Sequence, residues 1–362
     1  MKILFFVRSF KNMAGGIENK SLELAQGLKS RGHIVEIISL DSEGDEAFYT
    51  WPLDVFWHKV GIGDPRNKAN TKARITRIIR IRKILKNEFD IAIGFQVGAF
   101  FLLRLSGLGL KIRTIAAERN APTLFSFIKY GRAKKFFSNL ILLQASSITI
   151  LFPNFINFYP KYLRQRIVVT PNWVPVLDQY DSSIIKNNSQ ILFVGRFSYQ
   201  KNVEVLISAV SIMKKPTELI LIGSGEGLDN ARKLADKLKI DCKFLPPTLN
   251  LRPFYGSSKL LCLPSRWEGF PNVVAEALAF GLPVVAFQNC AGVPELVINN
   301  KMGVLAKGMN DPKALAKALD SALDLEFNSL DISLQMRQYS FDRFINTWEQ
   351  VCTSVINKKS HD

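Results

Sequence analysis

Short runs of branched aliphatic and aromatic residues alternate along this chain with segments whose apolar residues return every three or four positions. Runs of the first kind read as buried strands and segments of the second kind as amphipathic helices. The pattern therefore predicts α/β architecture, with two parallel sheets covered by helices on both faces. The strands expected in the first half are 3–7, 34–40, 91–95, 112–116 and 147–151. Those expected in the second half are 191–194, 218–222, 242–245, 260–263, 283–286 and 303–305. Between the halves, the text from Thr170 to Pro175 leads into a polar stretch that reads as a linker, which places Rossmann-like domains at 1–175 and 176–339. The last segment, 340–362, carries Phe341, Phe344, Ile345, Trp348 and Cys352 at helical spacing.

The chemistry collects in the turns that follow strands. Within 265–288, Glu268 and Glu276 stand on either side of an expected helix start with seven residues between them. Gly269 lets the backbone approach a ligand, Pro271 suits a first helical turn, and Gly281 with Pro283 ends the helix. The amides of Asn272 and Val273 then lie at a positive dipole end where phosphate oxygens bind, and Glu276 lies one turn deeper, in reach of a sugar hydroxyl. Alone, two glutamates at this spacing also fit an ordinary helix. After the strand 191–194 come Gly195, Arg196, Lys201 and Asn202, and an Arg fork with a Lys point charge suits a diphosphate, although a solvated loop reads the same way. The strand 218–222 runs into Gly223, Ser224 and Gly225, another turn at a strand's carboxyl end.

Taken in order, these segments resemble the retaining glycosyltransferases of family 4, over nearly the whole chain. The resemblance rests on Gly15, Gly16, Ile17 and Glu18 after the first strand, Gly195 and Arg196 to Lys201, Gly223 to Gly225, the text from Pro264 to Pro271 with Phe270, the Glu268 and Glu276 pair, and Gly292 to Glu295. It implies the GT-B fold: two Rossmann-like domains facing each other across a cleft, with 340–362 crossing back to pack on the N-terminal domain. It further implies that Arg196 and Lys201 bind the donor diphosphate, that Glu268 lies by the donor sugar, that Glu276 binds the ribose and that Gly16 packs close to the donor. Glu118, Arg119 and Asn120 are similar to a segment of family members that extend polyprenyl-diphosphate-linked glycans, and they are the expected acceptor contacts. Two departures stand out. None of His33, His58 and His361 matches the acceptor-domain histidine of many members, and Asn202 stands where Gly usually follows the phosphate Lys. No AspXaaAsp element ends a strand, so the expectation is catalysis with no metal and no cofactor beyond the nucleotide-sugar donor. Front-face attack assisted by the leaving phosphate is the mechanism that the resemblance implies.

Length and composition fit this picture. A chain of 362 residues with 47% hydrophobic content can bury two sizeable cores. Its start reads as a first strand and not as a secretion signal. The four cysteines lack metal-ligand spacing and read as reduced, mostly buried thiols. The stretch 136–160 has no charge but is broken by polar residues and Pro153, so it reads as the end of a helix, a strand and a second helix, not as a membrane span. A cytoplasmic protein, peripheral at the cytoplasmic face of the membrane, is the expected location.

Charge is lopsided. Up to Pro175 there are 27 Lys and Arg against 12 Asp and Glu, and after it 21 against 19. Residues 66–86 carry nine cations and no acid, with Ile75, Ile78, Ile79 and Leu85 on one helical face. A second basic cluster, Arg104 to Lys135, is interleaved with Phe100, Phe101, Phe125, Phe127, Phe136 and Phe137. Cations with aromatics serve an anionic membrane surface, plain solubility or nucleic acid. The first is the expected partner, alongside a nucleotide-sugar donor and a glycan or lipid-linked glycan acceptor; no nucleic-acid recognition module is present. A soluble-acceptor glycosyltransferase, a nucleotide-sugar 2-epimerase and a nucleic-acid-binding protein are the alternatives.

Overall fold

Strand β1 (Lys2–Phe6) is buried on both faces, as its unbroken apolar text requires, and it lies inside a sheet of seven strands. The others are β2 (Ile34–Ser39), β3 (Phe56–Lys59), β4 (Ile91–Phe95), β5 (Arg113–Ala117), β6 (Ser147–Ile150) and β7 (Ile167–Val169). Their order is β3-β2-β1-β4-β5-β6-β7, with every neighbouring pair parallel. A second sheet holds β8 (Gln190–Val194), β9 (Glu218–Ile222), β10 (Cys242–Leu245), β11 (Leu260–Leu263), β12 (Val284–Phe287) and β13 (Gly303–Ala306). Its order is β10-β9-β8-β11-β12-β13, again parallel throughout. Each sheet therefore reverses its direction of growth once, between β1 and β4 in the first and between β8 and β11 in the second. Such switch points leave a crevice at the carboxyl ends of the strands, where ligands of open α/β sheets bind.

The computed structural model describes residues 1–11, 13, 15–62, 70–175, 190–215 and 217–357. These form two units, Met1–Asn172 with the segment from Asp342, and Trp173–Phe341. The polar linker stretch after 175, Arg66 and Lys68 of the basic run, and His361 lie outside the described residues. Strands β3 and β7 are missing from the sequence reading because both are short edge strands, partly exposed, without a continuous buried run. The uncharged stretch 136–160 holds the end of the helix Gly131–Leu142, then β6, then a 3-10 turn at Pro153–Phe158 in place of the expected second helix. No helix among the described residues is long and apolar enough to cross a membrane.

The helix Phe341–Asn357 returns to the first unit. It buries Phe344, Ile345, Trp348, Val351, Cys352 and Val355 on one face. Trp348 lies against Phe95 at the end of β4, ring centroids 6.2 Å apart. At the rim, Glu349 accepts from Arg31 at 2.8 Å and pairs with His33 Nε2 at 2.8 Å. His58 Nε2 lies 2.6 Å from Glu36 on the neighbouring strand β2, so both described histidines hydrogen-bond a carboxylate of the first unit.

Candidate functional site

In the second unit, the two loops flanking the switch point are tied to one another. The β8 loop runs from Gly195 to Asn202 and the β11 loop from Pro264 to Pro271. Lys201 Nζ donates to Glu268 Oε1 at 2.8 Å, with the Lys side chain 17% and the Glu side chain 7% exposed. Gln200 Nε2 donates to Trp267 O at 2.9 Å, and the Arg266 amide donates to Gln200 O at 2.8 Å. Asn202 Nδ2 donates to Pro264 O at 3.1 Å and to Asn310 Oδ1 at 2.9 Å. Asn202 has φ of 56°, a left-handed conformation that Asn tolerates better than other non-glycine residues. The departure from Gly at this position thus keeps the backbone shape and adds a side-chain bond between the loops. Arg196, at the start of the β8 loop, is exposed, so the two expected diphosphate cations differ in setting.

Close backbone contacts shape the rest of the crevice. Gly223 has φ of 150°, and a Cβ there would lie 1.9 Å from Gly195 O, so the β9 turn packs directly on the β8 turn. A Cβ on Gly292, φ 86°, would lie 2.5 Å from Gly269 O and 2.7 Å from Glu268 O. The segment after β12 therefore supports the Glu268 and Gly269 backbone from below, and the Glu268 amide donates to Ala291 O at 3.1 Å. Cys290 is buried there, its thiol pushed up by burial and by the Glu268 charge, so it stays neutral. Phe270 is buried edge-on to Tyr339, ring centroids 5.6 Å apart.

Pro271 proves to be the residue just before the helix Asn272–Ala279, and Pro271 O takes the amides of Val274 at 2.9 Å and Ala275 at 3.0 Å. Asn272 and Val273 form its first turn and are partly exposed. One turn on, Glu276 Oε2 accepts from the Tyr255 hydroxyl at 3.0 Å. Tyr255 is buried, on the short helix Arg252–Ser257, and packs on Phe280 with centroids 5.3 Å apart. Burial and then the Glu276 carboxylate raise its phenol well above the ordinary value, so it remains a donor. Sequence reasoning missed Tyr255 because a lone Tyr in a six-residue helix has no spacing that points to a carboxylate 21 positions on.

In the first unit, Gly15 and Gly16 open the helix Gly16–Ser30 beside the other switch point. The side chain of Glu18 folds back so far that a Cβ on Gly15 would lie 2.0 Å from its Oε2. Glu118, Arg119 and Asn120 follow β5. Arg119 is 8% exposed, and its guanidinium donates to Thr170 O at 2.8 Å, Thr170 Oγ1 at 2.7 Å and Thr149 Oγ1 at 2.5 Å, while lying 5.2 Å from the Trp348 ring centroid. It therefore clamps the ends of β6 and β7 and the returning helix inside the unit, and the surface of the segment is left to Glu118 and Asn120, both partly exposed. Glu118 Oε1 is shut off from solvent without a hydrogen-bond partner, and burial raises its carboxyl to about 7 against the opposing pull of Arg119 and of the Val97 amide. Val97 belongs to the first turn of the helix Gln96–Ser106 after β4, so Glu118 reaches the switch point.

The basic surface also differs in detail from its text. On the helix Thr71–Leu85, Arg77 is buried and donates to Ile62 O at 2.6 Å, Arg80 donates to Val60 O at 2.7 Å, and Arg82 to Leu108 O at 2.6 Å. These three cations cap loop carbonyls. Leu85 is buried while Ile75 and Ile79 are 53% and 61% exposed, so the expected apolar face is split between core and solvent. Lys72, Ile75, Ile79, Lys83 and Lys86 make one exposed stripe. The helix Gly131–Leu142 buries Ser138 and Asn139 yet exposes Phe136, Phe137 and Leu140, with Arg132 and Lys134 exposed beside them. Phe100, in contrast, is fully buried.

Residues 178–342 match the sequence profile of the family described as Glycosyl transferases group 1. An uncharacterized glycosyltransferase of Haemophilus influenzae is 27% identical over 371 residues, covering 97% of this chain and 99% of its own. An α-1,4-N-acetyl-D-galactosaminyltransferase of Campylobacter jejuni, named for a diNAcBac-PP-undecaprenol-linked acceptor, is 26% identical and covers 90% of each chain. Among solved structures, Anabaena HepE in complex with UDP-glucose superposes with a TM-score of 0.78 at 17% identity, over 98% of this chain and 100% of that one.

Proposed function

We propose, from the match of residues 178–342 to the group 1 glycosyl transferases and from the GT-B fold, that the chain moves a hexosyl or N-acetylhexosaminyl unit from a nucleoside diphosphate sugar to a hydroxyl of a lipid-linked saccharide. The donor is a UDP-sugar, the configuration is retained, and no metal takes part. The observation that carries this reading is the 2.8 Å contact between Lys201 and Glu268 at the switch point of the second sheet. It supports the reading because a cation suited to phosphate and a carboxylate suited to a sugar hydroxyl meet at the crevice where sheets of this order bind ligands. As the bond from the anomeric carbon to the phosphate oxygen breaks, Arg196 and Lys201 stabilise the charge that gathers on the diphosphate. Gly195, Gly223 and Gly269 let the backbone come near the donor, with Phe270, Asn272 and Val273 forming the wall at the helix start. Glu268 orients the donor hexose and Glu276 the ribose. The acceptor oxygen attacks from the face that the phosphate leaves, and its proton passes to the phosphate. Glu118 and Asn120 hold the acceptor, with Arg119 fixing their segment.

The lipid-linked acceptor is supported by the name of the Campylobacter relative and by the exposed Phe136, Phe137, Ile75 and Ile79 among lysines and arginines, a surface that fits an anionic membrane. A screen of nucleotide-sugar donors tests the reading, with UDP and GDP release measured in the presence of membrane lipid extract. Acceptor-dependent release of UDP is the expected result. Release only with water-soluble saccharides would move the acceptor to the soluble class, and no release with any donor would overturn the activity.

A further inference from the structure

At the β3 edge of the first sheet lies an open cleft of about 450 Å³, lined by Asp45, Glu46, Phe48, Tyr49, Trp51, Trp57 and Lys59 among others. Its aromatic floor is rigidly built. Trp51 and Trp57 stack with centroids 4.2 Å apart and planes at 11°, and Phe10 meets both edge-on at 5.2 and 5.7 Å. Phe10 is fixed in turn by Asp41, which is fully buried and accepts from the Phe10 amide at 2.8 Å and from Ser39 Oγ at 2.7 Å. Both indole N–H groups point inward, Trp51 to Val55 O at 2.7 Å and Trp57 to Ser39 Oγ at 2.8 Å. What the rings offer to the cleft is therefore carbon surface.

The rim is polar and holds charges of both signs, Asp45 and Glu46 beside Lys11 and Lys59. Asp45 is held by Lys11 at 2.6 Å and by the Ser42 amide at 2.8 Å, and these partners keep its carboxyl below the usual range, so it is ionised. Glu46 is exposed beside it. Lys59 donates to Glu43 O and Asp45 O and sits 4.2 Å from the Trp57 ring centroid, which keeps its charge on the loop. With Lys11 held by Asp45, and Lys59 by the Glu43 and Asp45 carbonyls and the Trp57 ring, the rim offers a phosphate no unengaged cation, and Glu46 repels it. Stacking surface next to hydroxyl-binding oxygens suits a neutral polyhydroxylated ring, whose C–H face lies on the aromatic and whose edge meets the carboxylates.

We propose that this cleft is a saccharide subsite, occupied by a sugar of the acceptor that is distal to the one receiving the new unit. The inference rests on the glycosyl-transfer reading above. The loops after β2 and β5 leave the same end of a parallel sheet, three to four strand positions apart, which is about 14–19 Å. A single sugar held at Glu118 does not span that distance, whereas a chain of several does. The acceptor is accordingly an oligosaccharide, and its remote units help to hold the reacting end in place.

The test is direct binding by the full-length protein, followed by tryptophan fluorescence and equilibrium dialysis without donor. The probes are maltotetraose, chitotetraose and the monosaccharides glucose and N-acetylglucosamine. At least one tetrasaccharide should bind about tenfold more tightly than its monosaccharide, and Trp51→Ala and Glu46→Ala should each remove about that factor. Glu46→Ala keeps the test informative if Trp51→Ala does not fold, and calorimetry with UDP reports on the second unit independently. Absence of length-dependent binding in a protein that still binds UDP, or unchanged affinity in both variants, overturns the subsite. Absence of UDP binding itself would instead remove the glycosyl-transfer reading.

Discussion

Lys201 and Glu268 hold each other while Arg196 stands in solvent, and this difference separates two variants that the sequence treats alike. Both Arg196→Ala and Lys201→Ala should lower turnover by about 10²-fold or more. Only Lys201→Ala should also cost stability, about 3 kcal/mol, because it strands a buried carboxylate. Turnover and thermal melts of the two proteins check this, and near-wild-type rates in both would refute the diphosphate assignment. Tyr255→Phe removes one hydrogen bond from Glu276 and should weaken UDP binding by about 0.5–1.5 kcal/mol in calorimetry while leaving saturated turnover close to normal. A larger loss in turnover than in affinity would mean that Glu276 acts on the reacting sugar and not on the ribose. Glu118 introduces a pH dependence with a definite sign. Its carboxyl rises from 4.5 in the unfolded chain to about 7 in the folded one, so in that window the folded state keeps a proton that the unfolded state has lost. Its contribution to stability is complete at acid pH and fades as pH rises through about 7. Relative to Glu118→Gln, the wild-type melting temperature should fall by several degrees between about pH 5 and about pH 8, and parallel curves would show that Glu118 titrates normally.

At the scale of elements, the helices Thr71–Leu85 and Gly131–Leu142 present apolar residues to solvent and place polar ones inside. The structure decides which cations a charge-reversal experiment should change. Arg77, Arg80 and Arg82 donate to loop carbonyls, so reversing them would disturb the fold instead of the surface. Lys72, Lys83, Lys86 and Lys134 are the cations to change. Each contributes about 1 kcal/mol near an anionic surface, so their joint replacement by Glu should lower partition onto phosphatidylserine vesicles by more than about 100-fold, and salt should weaken the wild type. Wild-type protein that stays in solution with such vesicles at low ionic strength would make this surface a solubility feature.

At the scale of the whole molecule, the chain leaves the first unit after Asn172 and returns to it at Asp342. The return is anchored by Trp348, fully enclosed between Phe95 and Arg119. Trp348→Ala should destabilise the first unit by about 3–5 kcal/mol and expose it to limited proteolysis. UDP affinity, which the proposed function assigns to the second unit, should change little. Loss of both together would show that the units do not respond separately.

The sequence by itself determined the α/β class, eleven of the thirteen strands among the described residues and the turns that carry the candidate site, because strands buried on both faces need unbroken apolar runs and close turns need glycine. The pairing of Glu268 with Lys201 across 67 positions was beyond it, as were the support of Glu276 by Tyr255 and the burial of Arg119. Such contacts depend on which loops meet at a switch point, and strand order leaves no periodic trace in the text. The same holds for the basic helices, where residue type alone does not distinguish a cation that caps a carbonyl from one that faces water. Only the tertiary structure, by deciding which groups are shielded from solvent and which oxygens they meet, separates the two.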